Sequence, residues 1–597
     1  MARTTAYERG LARSIDSVPP ELTEMSKIAE NIGYEAALEF IIRENPTLAD
    51  YHVSNSIADS VLHCYDQHQR HLCLVLGTGL DNTCFYLTGL FEEVIVVEEY
   101  SVGLVIKKAE ARHDLVANIR LLEAHTSSLP FRENEFDVIV ADSMFEHIVP
   151  LAQVDVLREL WRILKPKGCL CLTARNRYGL VSWFSRTKIP TPRSTRPLPT
   201  TRSLVRFGNT DSLQDYASRI KEAGFGPIEL YWTSPFDTHT PMIAGKLRDG
   251  NAYSFLARYY EYDTSLRCLA MLTAKLLPSR ILQEICAPVW PTLLIFSWKH
   301  SKPRTTGDDI AEEMGGSSLV RMSCGSNVTY VGLDDHTPKS FGKLSRNPAS
   351  RHLETQEELM STYGGVGHQK RRIGNLTLFV ESPIEGRKCV SLNVTDNRCA
   401  IDWLLRFQNS TASGAQTDIE SLGERAVRAL STVDSDARNL ESTVCQIGEL
   451  ADLLDHAQVS ACSEHGDFHP GNIFISRTGK VSVADWELYE TSGDPLFDFC
   501  CFLIGSSTEV GLESFVRNFS GAGSYSRVMP SIIRTFCCNR RLPVKAILLG
   551  IPYTLARLIL RNSAHSDAPC AVYIQDLMQE LRIWNDKIRY RDFSWIG

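Results

Sequence analysis

Between residues 71 and 298 the chain returns again and again to short apolar runs: "HLCLVLG", "EEVIVVEE", "FDVIVAD", "GCLCLTA", "IELYW" and "TLLIFSW". Stretches with helical spacing separate them. A strand covered on both faces reads as an unbroken apolar run, and strands alternating with helices pack as βαβ units around a parallel sheet. The pattern then changes. "KHSKPRTTGDDIAEEMGGSS", from Lys299 to Ser318, is polar, contains glycine and lacks apolar periodicity, so a linker is expected there. Short strands such as "VTYVGL" and "LTLFVES" follow, and then a mostly helical end that includes "VKAILLGIPYTLARLIL". With 597 residues the chain exceeds one ordinary core. The expected division is a helical extension (1–60), an α/β domain (61–300), a linker (301–318) and an α+β domain with a small β lobe and a larger α lobe (319–597).

Composition excludes some classes. Charged residues make up 22% and hydrophobic residues 43%, as in soluble globular proteins, and the formal net charge of -8 gives no general reason to expect nucleic-acid binding. The start, "MARTTAYERGLARSIDSVPP", has no apolar core of signal-peptide length. No apolar stretch reaches the roughly 20 residues that span a bilayer, which leaves only peripheral contact with a membrane. The 17 cysteines show no CxxC pairs, and a reducing cytoplasm is the expected location.

In the first half, "LVLGTGLDN" puts Gly77 and Gly79 just after a buried strand, where the backbone can turn tightly and approach a ligand. Glu98 ends the next strand, roughly 20 residues on, where a carboxylate can accept hydrogen bonds from ribose hydroxyls. With "SSLPFRENEFDVIVADSMFEHI" and "LRELWRILKPKGCLCLTARNRYG", this region from about Leu72 to Lys299 resembles class I S-adenosylmethionine-dependent methyltransferases of the small-molecule type. The resemblance implies a Rossmann-like domain with Gly77 and Gly79 against the cofactor's amino-acid end and Glu98 on its ribose. It implies Asp142 near the methionyl part, and His125 and Thr126 in the adenine pocket. The sequence departs from the family at Val75, Asp81 and His125. His147 follows the fourth strand and is either a base for an acceptor hydroxyl or a structural histidine. Between Glu159 and Asp211 there is no acidic residue, while Arg175, Arg177, Arg186, Lys188, Arg193, Arg196, Arg202 and Arg206 recur. The stretch reads either as a solvated loop or as a clamp for an anionic acceptor.

In the second half, "HGDFHPGNIFISRTGKVSVADWE" reads as two strands joined by a turn. An antiparallel hairpin brings Asn472 beside Asp485, with Asp467 just upstream. Two carboxylates and an amide oxygen suit Mg²⁺, and the remaining acid can orient and deprotonate a hydroxyl. The motif resembles the aminoglycoside-phosphotransferase and choline-kinase branch of the bilobal protein-kinase-like fold. By that resemblance Asp467 is the catalytic base, Asn472 and Asp485 hold Mg²⁺, His465 braces the loop, and Asp498 is structural. Extended back to about Leu319, it implies Lys343 on the ATP phosphates, Glu357 (or Glu354) as its partner, and Val380 to Ser382 along adenine.

The two resemblances together imply a methyltransferase fused to an ATP-dependent hydroxyl kinase, acting on a sugar, glycan or related small molecule. Two other arrangements keep only one activity. In one, the kinase-like half is a non-catalytic binding module; in the other, a small-molecule kinase carries a degenerate methyltransferase domain.

Overall fold

The computed structural model describes residues 20–34, 57–63, 71–76, 83–98, 101–113, 116–141, 150–179, 211–234, 243–259, 277–290, 292–324, 327–345, 358–364, 367–374, 376–413, 437–486, 488–508, 517–563 and 568–587, with single residues between some of these. The chain forms two compact units: residues 1–348 with 369–381, and residues 349–368 with 382–597.

The first unit is built on one sheet. Its strands are β1 (Leu72–Leu76), β2 (Glu93–Glu98), β3 (Ile119–Glu123), β4 (Phe136–Ala141), β5 (Leu164–Arg175), β6 (Ile228–Ser234), β7 (Ile243–Lys246) and β8 (Thr292–Trp298), then β9 (Ser318–Cys324), β10 (Asn327–Asp334), β11 (Thr337–Ser345), β12 (His368–Ile373) and β13 (Leu376–Glu381). Their order is β12-β13-β11-β10-β9-β7-β6-β8-β5-β4-β1-β2-β3. From β3 to β5 neighbouring strands are parallel, as the apolar runs predict. Strand β8 then runs antiparallel to both β5 and β6.

The period of two in a strand sorts side chains onto opposite faces. Leu74, Leu76, Ile95, Ile139, Leu170 and Ile295 pack on one face with Val156, Leu160 and Phe255 from helices Pro150–Ile163 and Gly250–Tyr259. Their neighbours Cys73, Val75, Val94, Val140, Cys171 and Phe296 pack on the other, beneath Val61, Leu62, Leu87 and Ile310. Both faces are covered, which is why these strands lack polar alternation.

The stretch expected to be a linker is folded. Thr306–Met314 is a helix whose N-cap, Thr305, accepts a hydrogen bond from the Asp308 amide while Asp308 accepts one from the Thr305 amide; Gly315 ends it in the left-handed region at φ 62. Ile310 and Met314 are buried. The expected boundary at residue 319 moves as well. The edge of β7 pairs antiparallel with β9, Ile243 opposite Met322 and Gly245 opposite Val320. An unpaired edge accepts the next extended segment, so β9 to β13 extend the first sheet and share its cores through Val320, Val331, Tyr330 and Leu344.

The second unit is mostly helical, as expected, with helices Val394–Ser410, Ala437–His456, Pro495–Thr508, Met529–Arg540, Val544–Ser563 and Ala568–Lys587. They enclose one core that includes Leu404, Phe468, Phe502, Ile533 and Leu581. Two small sheets sit in this unit: β14 (Arg387–Lys388) with β16 (Ile473–Ile475) and β17 (Val481–Val483), and β15 (Cys462–Glu464) with β18 (Glu490–Gly493). Among the described residues no single helix is long and apolar enough to cross a membrane.

Thr305→Ala removes the cap of the helix that packs against β9, β10, β11 and β13. The expected loss is about 1 kcal/mol in denaturant unfolding.

Candidate functional site

Strand order locates the first site. The chain passes from β1 to β2 and β3 on one side, and returns to β4 and β5 on the other. Ligands of open α/β sheets bind beyond the carboxyl ends of the strands at such a reversal. Glu98 ends β2, and His125 and Thr126 follow β3, so two adjacent parallel strands bring these three expected residues to one edge. Gly77, Gly79, Asp142 and His147 themselves lie outside the described residues. Glu98 is 1% exposed and lies opposite Glu123 in the β2–β3 register. Its carbonyl accepts the Ala124 amide at 3.2 Å, which holds the β3 end beside it. Thr126 is buried. His125 Nδ1 lies 2.8 Å from Ser127 Oγ, an interaction that fixes the ring within its turn.

Most of the arginine-rich stretch lies outside the described residues. Of its described members, Arg177 bonds the buried Asp211 at 3.3 Å, and Arg219 shares that carboxylate. Arg177, itself exposed, is therefore already paired with an acid of this unit.

The second site is a loop held from below. Ile473 lies opposite Val483 and Ile475 opposite Val481 in the β16–β17 hairpin. The Ala484 amide donates to the Asn472 carbonyl at 2.8 Å, so Asp485 follows directly on the strand facing Asn472, as the sequence predicts. Asn472 Nδ2 donates to Asp467 Oδ2 at 2.8 Å and to the Asp467 carbonyl at 3.1 Å. That leaves the amide oxygen of Asn472 as its acceptor. Asp485 is exposed and takes φ 64, a left-handed conformation that Asp tolerates better than most residues. Among the described residues no group of three or more His, Cys, Asp and Glu side chains could hold a metal. Asn472 and Asp485 nonetheless fit Mg²⁺, which usually takes one or two carboxylates and completes its shell with waters and substrate phosphate oxygens.

His465 is fully buried, with Nε2–H donating to the Ala484 carbonyl at 2.9 Å and Nδ1 accepting the Asp467 amide at 3.2 Å. Burial lowers its pKa to about 4, so it braces the loop as a neutral imidazole, as expected. Its ring stands edge-on to Trp486 at 4.6 Å. Asp498 accepts the His465 amide at 2.7 Å and the Gly466 amide at 2.9 Å, which makes it structural. Burial, then the nearby Glu464 carboxylate, push it up to about 7. Gly466 needs to be glycine: at φ 89 a Cβ would run into the Leu488 carbonyl.

Beneath this loop lies an ion cluster that no local motif announces. Glu464 is fully buried and receives both arms of Arg557, each at 2.8 Å. Arg557 also reaches Asp494 at 2.9 Å, while Arg561 donates to the Gly466 carbonyl at 2.9 Å and to Glu490 at 2.5 Å. Asp494 in turn accepts the amides of Leu496 and Phe497 at 2.8 and 2.9 Å, opening the helix that carries Asp498. His469 was also missed: Nε2 lies 3.5 Å from Asp467 Oδ2. Burial opposes charge on both members of that pair. Their mutual attraction wins, raising His469 above the usual imidazole range and lowering Asp467 below the usual carboxylate range.

Lys343 and Val380 belong to the first unit, on β11 and β13, whereas Ser382 belongs to the second. Glu357 and Glu354 lie outside the described residues. Among the described residues Glu381, which is buried, lies 3.1 Å from Lys343. The β11–β13 register places Glu381 opposite Phe341, two residues before Lys343 and on the same face.

Residues 74–172 match the family model of a methyltransferase domain, and residues 399–530 match that of the phosphotransferase enzyme family. The chain is a transferase with two domains. No curated protein matches it. Among solved structures it is similar to the YcgJ protein from Bacillus subtilis, at 16% identity over 41% of this chain and 98% of that one, with a TM-score of 0.25. Another is a SAM-dependent methyltransferase from Thermotoga maritima, at 13% identity over 46% and 99%, TM-score 0.26. A third is phosphoethanolamine N-methyltransferase 2 from Haemonchus contortus in complex with S-adenosyl-L-methionine, at 15% identity over 44% and 60%, TM-score 0.28.

In this transferase Arg557→Met strands the buried Glu464 and Asp494 charges. The expected cost is about 3–5 kcal/mol, read from denaturant unfolding of the phosphotransferase domain. The His469 linkage has a definite sign. A histidine whose pKa is raised on folding contributes stability that is complete below its unfolded value of about 6.5 and is lost as pH rises through the folded value. His469→Gln is expected to shrink the fall in melting temperature between about pH 6 and pH 8.

Proposed function

We propose that this transferase methylates with S-adenosylmethionine and phosphorylates with Mg-ATP, and that both groups go to a sugar, glycan or related small-molecule acceptor. The observation that carries the phosphoryl half is the loop in which Asp467 meets Asn472 and His469, beside the strand that leads to Asp485. In this reading Asp467 takes the proton of the acceptor hydroxyl. Attraction to His469 and the hydrogen bond from Asn472 keep it ionised and aimed, so it is ready as a base at neutral pH. The Asn472 amide oxygen and the Asp485 carboxylate would hold Mg²⁺, which neutralises charge on the phosphates. By the family resemblance Lys343 would meet the α- and β-phosphates with Glu357 (or Glu354) as its partner, and Val380 to Ser382 would border adenine.

Support for the methyl half comes from the four strand ends at the sheet's reversal and from the buried Glu98 among them. Glu98 would accept hydrogen bonds from the ribose hydroxyls, Gly77 and Gly79 would admit the amino-acid end, Asp142 would meet the methionyl part, and His125 and Thr126 would flank adenine. His147 would stand on the acceptor side, either as base or as support. Fusion of the two activities raises the local concentration of one product near the other site.

Three measurements test the reading. Mg-ATP at about 100 times its dissociation constant is expected to stabilise the protein by roughly 2.7 kcal/mol, an effect lost in Asp485→Asn. Asp467→Ala is expected to slow phosphoryl transfer by about 10²–10⁴-fold while methyl transfer continues. Glu98→Ala is expected to weaken S-adenosylmethionine by about tenfold or more. Mg-ATP binding with no phosphorylated product from any sugar or glycan acceptor would favour a non-catalytic binding module instead.

A further inference from the structure

Residues 142–149 join the carboxyl end of β4 to helix Pro150–Ile163, and one side chain from the first turn of that helix reaches back to them. Gln153 Nε2 donates to the Phe145 carbonyl at 2.9 Å and to the Ile148 carbonyl at 3.2 Å. Its Oε1 accepts from Arg219 Nη1 at 2.5 Å. A guanidinium only donates and a carbonyl only accepts, so a single orientation of the amide satisfies all three partners. Gln153 is 1% exposed, and each of those bonds is made out of reach of water.

Arg219 carries the constraint to the neighbouring strand. Nη1 also donates to the buried carboxylate of Asp211, whose other oxygen takes Arg177 at 3.3 Å. Asp211 sits where the chain returns to the end of β5: it forms an isolated parallel bridge with Asn176, and its carbonyl accepts the Arg177 amide at 2.9 Å. Tyr216, on the same helix as Arg219, donates its hydroxyl to the carbonyl of Arg175, the last residue of β5, at 3.3 Å. Strands β4 and β5 are parallel neighbours, with Ala141 opposite Leu172. A relay of Gln153, Arg219 and Asp211 therefore spans the carboxyl ends of two adjacent strands. Around it the helix and strands pack through apolar side chains such as Val156, Leu160, Leu172 and Ile220. Packing alone asks for no polar group here, and a buried polar network is worth its desolvation where it fixes one geometry.

We propose that Gln153, aimed by Arg219, is a positioning residue for methyl transfer. It holds the backbone on both sides of Glu146 and His147, in the connection that also contains Asp142, and so sets where the methionyl part of S-adenosylmethionine meets the protein. The proposal rests on the methyltransferase reading given above. In that reading the nucleoside part belongs to Glu98, His125 and Thr126, at the ends of β2 and β3, which the relay does not touch. Loss of the brace therefore acts on one half of the cofactor and spares the other. A displacement of about 1 Å made at a distance from the chemistry can cost on the order of 10²-fold in rate, so a fixed backbone at this turn has a direct use.

The test is calorimetric titration of the full chain with S-adenosylmethionine and with 5′-methylthioadenosine, which keeps the adenosine and lacks the amino-acid end. Gln153→Glu keeps the size of the side chain and a partner for Arg219, and loses both donors to the turn. It is expected to weaken S-adenosylmethionine by about tenfold and to leave 5′-methylthioadenosine unchanged. Arg219→Lys keeps a charge beside Asp211 and loses the fork that reaches both partners, and the same split is expected. A merely structural role would lower the melting temperature without separating the two ligands. Wild-type affinity for S-adenosylmethionine in Gln153→Glu overturns the proposal, as does equal weakening of both ligands. No binding of S-adenosylmethionine by the unsubstituted chain overturns the methyltransferase reading itself, and the proposal with it. Circular dichroism checks each variant's fold; if Gln153→Glu does not fold, Arg219→Lys decides.

Discussion

The second unit turns on the buried pairing of Glu464 with Arg557. Burying a carboxylate without a partner is prohibitive, and a bidentate guanidinium at 2.8 Å on each oxygen is what makes it tolerable. The geometry of the loop that follows depends on that pairing. Glu464 ends β15, so anchoring it sets where His465 and Gly466 begin. Asp494, bound to the same arginine, caps the helix whose first turn presents Asp498 to those two amides. Arg561, one turn beyond Arg557, holds the Gly466 carbonyl. The loop that carries Asp467 is thus fixed from both its amide and carbonyl sides by charges packed beneath it. The backbone of the loop is held by groups other than the Asp467 side chain, which keeps its own contacts to Asn472 and His469.

The first unit solves a different problem. A parallel sheet needs both faces covered and leaves its strand ends free for ligands. Its antiparallel side ends at β7, whose edge would otherwise be open, and β9 closes it. That one pairing decides that five further strands belong to this unit. Helix Thr306–Met314 packs on the strands so added, against β9, β10, β11 and β13.

Much of this was legible before any coordinates. The apolar runs marked six strands because strands buried on both faces leave no polar positions. The hairpin at Asn472 and Asp485 was legible because turn residues between two short apolar runs leave few registers. The helix at Thr306–Met314 was missed although its start is written as Thr-Thr-Gly-Asp; a capping box needs only two residues, and polar composition outweighed it. The nearness of Glu381 to Lys343 is not legible in the sequence, because it depends on β11–β13 register, which no local pattern records.

What the sequence by itself determined were local matters: where strands begin, where backbone must turn through glycine, and which polar residues cluster within one hairpin. These follow from periodicity and backbone sterics acting over a few residues. Only the tertiary structure decided which strand closes the β7 edge and which arginine, 93 positions away, meets Glu464. Both depend on contacts between distant segments, where an open edge or a buried charge accepts whichever partner the chain brings to it.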